Sequence, residues 1–523
     1  MFHLRKEYHH ILYIVSLCFV VFSLPFYEAM SSIGIIVMAV NWLLEGSVEE
    51  KLRRLRKNPG IWIIASFYLT GILGAIYSED IRQVIRHLQN GLAFFIIPII
   101  IGTSKPLKEL ELRYLVLSGA GSVVINSIFS YMIFLNWIDI EITNYRHYSY
   151  FSSNVHLSYL AIVIVLTLFY FVTRRKARLT KRTFYLYIGL IIWISFYIYF
   201  LRSFSGILIF LVLVWMVLLK RTFLMSTKAK YLIAVLLFIL PLIPFYVFNN
   251  IYNDNFTEYT YNADTLARRT VNGNKYTHKT GDHLMENGRY VGLYICEKEL
   301  KDEWNETSEL PYKGKDKKGQ PLNKTLIRYL TARHLKKDSV GFSHLTNQDI
   351  RNVENGMTNP IYQHRISLYP RVYTLAQSIY YYKNTGKPFD SVTKRFEAYN
   401  AMISIFIENP VIGVGPGDIK EAYRSYYEKK FENAEAMDLV GGHNQYLKIL
   451  AVFGVLGFAW FLFSFLGSWI IHKGWKHFLS QMLLVAFLIA MISEVSLDQQ
   501  RPAILFSIFY SLFLFGLKEN RLK

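Results

Sequence analysis

Long apolar runs separated by short charged connections cover most of this chain. Apolar stretches near 10–27, 29–45, 61–77, 88–102, 113–137, 156–173, 183–201, 203–219, 231–248, 443–471, 478–495 and 502–517 approach the length of a membrane helix. A hydrocarbon core about 30 Å thick needs roughly 20 such residues. The pattern predicts an all-α polytopic membrane protein with about 12 transmembrane helices. One connection differs from the rest. Residues 249–442 are polar and tyrosine-rich, and their length suits a domain rather than a loop. The expected organisation is therefore a membrane region of about nine spans (1–248), a large, mainly helical outer domain between spans 9 and 10 (249–442), and about three further spans (443–523). The first run follows a basic N-terminus (Arg5, Lys6) but lacks a small-residue cleavage pattern, so it reads as a retained span.

Within the long polar segment, TLIRYLTARHLKK (325–337) and VTKRFEAYNAMISIFIEN (392–409) have helical patterning. In the second, Phe396, Tyr399, Met402, Ile403 and Phe406 recur at helical spacing, the signature of an amphipathic helix able to lie on a membrane face. Arg395 stands just before that stripe. Pro410 stops the helix, and ENPVIGVGPGDI (408–419) follows. Glycines such as Gly415 permit backbone conformations that present amides to a phosphate. A plain turn joining two elements is the competing reading.

The formal net charge is +20. It is not spread evenly. One alternating set of connections, including KLRRLRK (51–57), RRKARLTKR (174–182) and both termini, holds about 25 Lys and Arg against about 7 Asp and Glu. The short connections of the other set, around 82–87, 146, 202 and 501, hold about five Lys and Arg. The positive-inside rule makes the first set cytoplasmic, with both termini inside. The basic character is thus topological, and nucleic acid drops out as a partner. Hydrophobic residues make up 52% and aromatic residues 16% of the chain, which fits a membrane protein. Cys18 and Cys296, the two cysteines, lie in an apolar run and a distant polar region, so a disulfide between them is not expected. No Cys/His cluster has zinc spacing, and no phosphate-loop or dinucleotide fingerprint occurs; no cofactor or metal is expected.

Ionisable residues are scarce inside the apolar runs and cluster at their outer ends: Arg202, His443, Glu494, Asp498 and Arg501. This favours chemistry at the membrane–water boundary over a path through the bilayer. Arg202, in YFLRSFSGIL, is either a snorkelling anchor or a planar fork for oxyanions. His443 opens GGHNQYLKILAVFGVLGF (441–458) and is the candidate base, with Asn444 as a supporting polar group. On a helix beginning at His443, Gly454 lies about 16 Å deeper at 1.5 Å per residue, and with Gly457 it offers a small-residue packing face. Glu494, Asp498 and Gln500, in SEVSLDQQRP, either terminate a helix and pair with Arg501, or orient His443 or a sugar hydroxyl.

HNQYLKILAVFGVLG (443–457), RFEAYNAMISIFIENPVIGVGPGD (395–418) and the arginine of LRSFSG together resemble the O-antigen ligase family. The outer insert, with ENGRYVGLYICEKELKDEWN (286–305), resembles the enlarged version of Bacteroidetes-type members. Two stretches depart from the pattern: Ser203-Phe204-Ser205 after Arg202, and the loosely matching SEVSLDQQRP. The resemblance implies a metal-independent, inverting glycosyltransferase of a bacterial inner membrane with its site on the periplasmic face. Its donor is an undecaprenyl-diphosphate-linked glycan, and its acceptor is lipid A–core or, for a polymerase, another lipid-linked glycan. Arg202 and Arg395 are then expected on the diphosphate and His443 as base, with Asn444, Glu494, Asp498, Gln500 and Gly415 around the substrate. Two other classes compete. A flippase needs repeats or broken midplane helices, which the sequence does not display. A binding module on a membrane anchor needs far fewer spans.

Overall fold

The computed structural model describes residues 6–46, 48–140, 148–174, 179–257, 262–281, 283–363, 369–388, 390–431 and 442–517. The connection around Arg146, Gly441 and part of RRKARLTKR lie outside the described residues. The chain divides into two compact units, Met1–Arg221 with Ala398–Lys523, and Thr222–Glu397.

In the first unit the helices run α1 (Lys6–Ser23), α2 (Glu28–Leu44), α3 (Val48–Lys57), α4 (Pro59–Ala65), α5 (Phe67–Ala75), α6 (Ile81–Gly91), α7 (Ala93–Thr103), α8 (Glu109–Phe134), α9 (Asn154–Thr173), α10 (Lys181–Phe200) and α11 (Phe204–Phe223). The second unit contributes α12 (Ala229–Ile239), α13 (Leu242–Phe256), a hairpin of β1 (Met285–Glu286) and β2 (Arg289–Tyr290), α14 (Glu297–Thr307), α15 (Leu322–Ala332), α16 (Ser339–Ser343), α17 (Asn347–Glu354) and α18 (Tyr369–Thr385). Helix α19 (Ser391–Glu408) crosses from the second unit back to the first. The first unit then continues with α20 (Ile419–Lys430), α21 (Gln445–Leu462), α22 (Ser468–Ile471), α23 (Phe478–Ser493) and α24 (Gln500–Ser511).

Seven helices among the described residues are long and apolar enough to cross a membrane: Ile81–Thr103, Glu109–Phe134, Asn154–Thr173, Lys181–Phe200, Phe204–Phe223, Ala229–Phe256 and Gln445–Ile471. Four shorter apolar helices (Glu7–Ser23, Pro59–Ala75, Phe478–Ser493 and Gln500–Gly516) and the bent pair α2–α3 stand where the other expected spans were placed. Length and composition therefore support seven spans, or eight with the bent pair counted as one.

The first unit packs as a helical membrane protein does, by close contact and buried polar links rather than by a water-driven core. Phe94, Phe461, Phe465, Phe506 and Tyr510 form one aromatic cluster joining α7, α21 and α24, with Phe465–Phe506 ring centroids 5.4 Å apart. His9 Nδ1 meets Asn41 Oδ1 at 2.8 Å between α1 and α2, and Trp42 Nε1 donates to Thr103 Oγ1 at 2.7 Å between α2 and α7. On the outward faces, Ile192, Leu211 and Phe204 stay exposed, as apolar residues do when lipid covers them.

The second unit has two small cores of its own. Trp304, Leu322, Leu326, Tyr329, Leu330 and Val353 fill one, and Ile251, Phe256, Tyr373 and Tyr380 the other. A buried carboxylate stands beside the second. Glu286, fully buried, accepts from Arg328 Nε at 2.8 Å, Asn359 Nδ2 at 2.9 Å and the Tyr373 hydroxyl at 3.0 Å. These donors supply the charge and hydrogen bonds without which such burial is costly.

Helix α19 packs one of its apolar sides inside the protein. Its buried face is Ala398, Ala401, Met402 and Ile405, spaced i, i+3, i+4 and i+7. Of the expected stripe, Phe396 and Ile403 are exposed and Met402 is buried. The helix is apolar on more than one side, so periodicity alone does not separate protein-facing from exposed positions.

Candidate active site

Helix α21 begins at Gln445, two residues after His443. Asn444 is its N-cap, and its side-chain oxygen accepts from the Leu447 N–H at 3.0 Å. An amide is well suited to this position because the first turn leaves N–H groups without partners. Asn444 is thereby occupied with holding the helix start, and His443 sits just outside the helix. The buried Gln445 side chain accepts from the Leu497 N–H at 2.9 Å, fastening the helix start to the 494–500 loop. Tyr446 donates to the Leu488 carbonyl on α23 at 2.8 Å.

These links bring Glu494, at the end of α23, to His443. Glu494 Oε2 lies 3.6 Å from His443 Nδ1, an ion-pair separation slightly longer than a hydrogen bond. The neighbouring Ser493 hydroxyl donates to Ser205 Oγ at 2.9 Å. Ser205 lies in the first turn of α11, directly after the turn that carries Arg202. That turn is tightly held, with Asn154 Nδ2 donating to the Leu201 carbonyl at 3.1 Å. Arg202 itself is exposed and has a φ of 49°, a left-handed backbone uncommon for a non-glycine residue. The arginine turn, Glu494 and His443 thus form one connected edge of the first unit. Arg395 lies on the part of α19 that belongs to the second unit and is partly buried.

The other expected residues separate by their partners. Asp498 Oδ2 pairs with Lys448 Nζ at 2.7 Å, and Oδ1 lies 3.5 Å from His87 Nδ1. Burial alone would raise its carboxyl, yet the Lys448 ammonium and the His87 imidazole outweigh burial and hold it below the usual carboxylate range. Gln500 donates to the Ser32 hydroxyl at 2.7 Å. Arg501 donates to the Phe151 and Phe26 carbonyls at 3.0 and 3.1 Å, with Glu28 nearby at 3.5 Å. It does not pair with Glu494 or Asp498 among the described residues.

The glycine-rich turn departs from the expected phosphate nest. Helix α21 breaks at Gly454, where φ is 63° and ψ is −167°. The turn after α19 seats its backbone in the break. Val414 and Gly415 donate N–H groups to the Ala451 and Val452 carbonyls at 3.0 and 2.9 Å, and Val455 donates to the Pro410 carbonyl at 2.9 Å. The amide of Gly415 is therefore used inside the protein and is not directed at a ligand. Its φ of 89°, with the Ser78 hydroxyl and Tyr77 ring where a side chain would stand, explains why glycine occupies this position. Gly454 likewise packs closely, as expected, but against the backbone of Val411 and Ile412 rather than a neighbouring helix. The sequence displayed no broken span, yet this helix is broken, and the turn supplies main-chain partners for the groups the break exposes.

The same turn positions a further element. Asp418 accepts from the Glu79 and Asp80 N–H groups at 3.0 and 3.2 Å, and Asp80 in turn caps α6 by accepting from Arg82 N at 2.9 Å. This aims Arg86 and His87 at the first turn of α21, where a cavity of about 540 Å³ opens between α6, α20 and α21. Gly442, Gln445, Lys448 and Asp498 line it. The sequence reading missed Arg86, His87, Lys448 and Gln445. A lysine in the first turn of an apolar span was the one available signal, and its meaning depends on Asp498, fifty residues on.

No group of three or more His, Cys, Asp or Glu among the described residues is arranged to hold a metal ion. No curated protein matches the chain. Residues 365–462, a stretch that contains Arg395, the glycine-rich turn and His443, match the family described as O-Antigen ligase.

Proposed function

We propose that this chain, whose residues 365–462 match the O-Antigen ligase family and whose helices include seven long and apolar enough to cross a membrane, is an inverting, metal-independent glycosyltransferase of surface-polysaccharide assembly. Its donor is a glycan on undecaprenyl diphosphate, and its acceptor is a sugar hydroxyl, on lipid A–core for a ligase. The site faces the periplasm of a bacterial inner membrane, with both termini cytoplasmic.

What carries this reading is His443 at the head of α21, with Nδ1 facing the Glu494 carboxylate at 3.6 Å. A carboxylate at Nδ1 favours the tautomer protonated there and leaves Nε2 basic. In the reaction the acceptor hydroxyl oxygen attacks the anomeric carbon, and its proton passes to His443 Nε2. The bond between that carbon and the phosphate oxygen breaks with inversion, and undecaprenyl diphosphate leaves with the electron pair. Arg202 is assigned to stabilise the charge that develops on the diphosphate. The family resemblance gives a second phosphate contact to Arg395. The donor carries its own activated leaving group, so the chemistry requires neither a nucleotide nor a divalent ion.

The test is His443→Ala in the full chain. Membrane levels should stay normal while glycan transfer is lost, and near-normal transfer overturns the mechanism. A polymerase using the same site is the second reading, because the same displacement serves a hydroxyl on another lipid-linked glycan. Deletion strains separate the two: a ligase mutant accumulates long lipid-linked chains, and a polymerase mutant leaves single units.

A further inference from the structure

The reaction just described leaves the cavity beside α21 without a role. Its mouth carries Arg86, Lys420 and Arg424, all exposed. Arg424 is paired with Glu421 at 3.1 Å, and Lys448, deeper in, with Asp498 at 2.7 Å. Arg86 and Lys420 make no ion pair among the described residues. One wall is aromatic. It includes the buried ring of Tyr423. Two uncommitted cations and an aromatic wall suit a sugar that carries negative charge. The volume falls within the roughly 300–1,000 Å³ typical of ligand pockets.

The position of the cavity relative to His443 says which sugar. Resting on the transferase reading above, an inverting displacement needs the attacking hydroxyl opposite the leaving diphosphate, with the base on the attacking side. On the Arg202 side, Ser493 donates to Ser205, three residues after Arg202, and the next residue, Glu494, faces His443. The cavity is lined by different residues, among them Gly442 and Gln445, which flank His443 and Asn444 in the chain. We propose that this cavity is the acceptor subsite and that it takes an anionic sugar, one bearing a phosphate or a carboxylate, on Arg86 and Lys420.

The test is calorimetric titration of the detergent-purified full chain with glucose 6-phosphate, glucuronate, glucose, inorganic phosphate and geranyl diphosphate, the last as a soluble donor head. Glucose 6-phosphate or glucuronate should bind, the better of the two naming the anion. Glucose should bind at least tenfold more weakly, and so should inorganic phosphate. Arg86→Gln/Lys420→Gln should weaken the anionic sugar at least tenfold while geranyl diphosphate changes less than twofold, which also shows the variant is folded. No binding of either anionic sugar overturns the proposal, as does inorganic phosphate binding equally well. Unchanged sugar binding in the double variant, or loss of geranyl diphosphate along with it, overturns it too. These are binding readouts, so an active His443→Ala enzyme would remove the mechanism without altering them.

Discussion

Glu494 Oε2 faces His443 Nδ1, not the opposite ring nitrogen, at 3.6 Å. That choice of nitrogen gives the pair its predicted behaviour. If Glu494 orients the ring and fixes its tautomer, Glu494→Gln lowers kcat for glycan transfer by about a hundred- to a thousandfold, within the range general-base catalysis contributes. KM for the lipid-linked donor should change little, because the carboxylate acts through the histidine. The double variant Glu494→Gln/His443→Ala should be no slower than His443→Ala, since groups that act as a unit are not additive. Transfer rates of the three purified variants check this, and a slower double variant would give Glu494 an independent role.

Gly454 allows the glycine-rich turn to enter α21. At φ 63° and ψ −167° the residue lies in a region open essentially to glycine, and a Cβ there would meet the backbone of Val411 and Ile412. Gly454→Ala should therefore destabilise the protein by about 1–3 kcal/mol from the backbone conformation alone, with the steric conflict adding to it. Gly121→Ala is the control. Gly121 lies inside α8 with open space where the Cβ would stand, so alanine there should be neutral or stabilising by up to about 1 kcal/mol. Thermal midpoints in detergent should move in these unequal directions, and equal midpoints for the two variants would refute the seating of the turn.

These two cases show what was legible in the sequence. Long apolar runs mark span positions because the bilayer sets a length, and His443 and Glu494 were legible as polar groups at span ends. Gly454 was recognised as a close-packing residue, but its partner was not. A turn inserted into a broken helix pairs Val414 and Gly415 with carbonyls some forty residues away, and no local pattern encodes that. The His87–Asp498–Lys448 group was hidden for the same reason, its three members coming from α6, a loop and α21. Helix α19 misled in another way. Exposed Phe396 and Ile403 are as apolar as buried Met402 and Ile405, so hydropathy does not say which face packs.

In the second unit Glu299 carries the clearest pH dependence. It is buried, and burial acts to raise its pKa. The Ser339 N–H at 2.9 Å and the side chains of Thr270, Asn274 and Ser339 outweigh burial and hold the pKa down at about 2. A folded pKa below the unfolded value means that the unfolded state binds more protons. The stabilisation is therefore present in full above the unfolded pKa, near 4.5, and is lost as pH falls toward 2. Glu299→Gln removes the carboxylate. The gap in thermal midpoint between wild type and variant should be constant above pH 5 and shrink as pH falls through 4.5 toward 2. A gap that widens on acidification would refute this account.

Asp498 was expected to touch substrate, but its contacts with Lys448 at 2.7 Å and His87 at 3.5 Å describe a carboxylate used to join α6, α21 and the 494–500 loop. The two uses predict different mutant behaviour. Asp498→Asn leaves the Lys448 ammonium without its partner in a largely enclosed place, and removing one member of such a pair costs about 3–5 kcal/mol. Replacing both members with apolar groups of similar size removes the stranded charge, so Asp498→Leu/Lys448→Met should recover most of that loss. If the pair is structural, the apolar double variant should regain transfer along with its thermal midpoint. If Asp498 instead holds an acceptor hydroxyl, the midpoint should recover while transfer stays low. We expect both to recover, because Lys448 and His87 occupy the Asp498 carboxylate within the protein. Measuring the midpoint and the transfer rate on the same purified samples decides between the two uses.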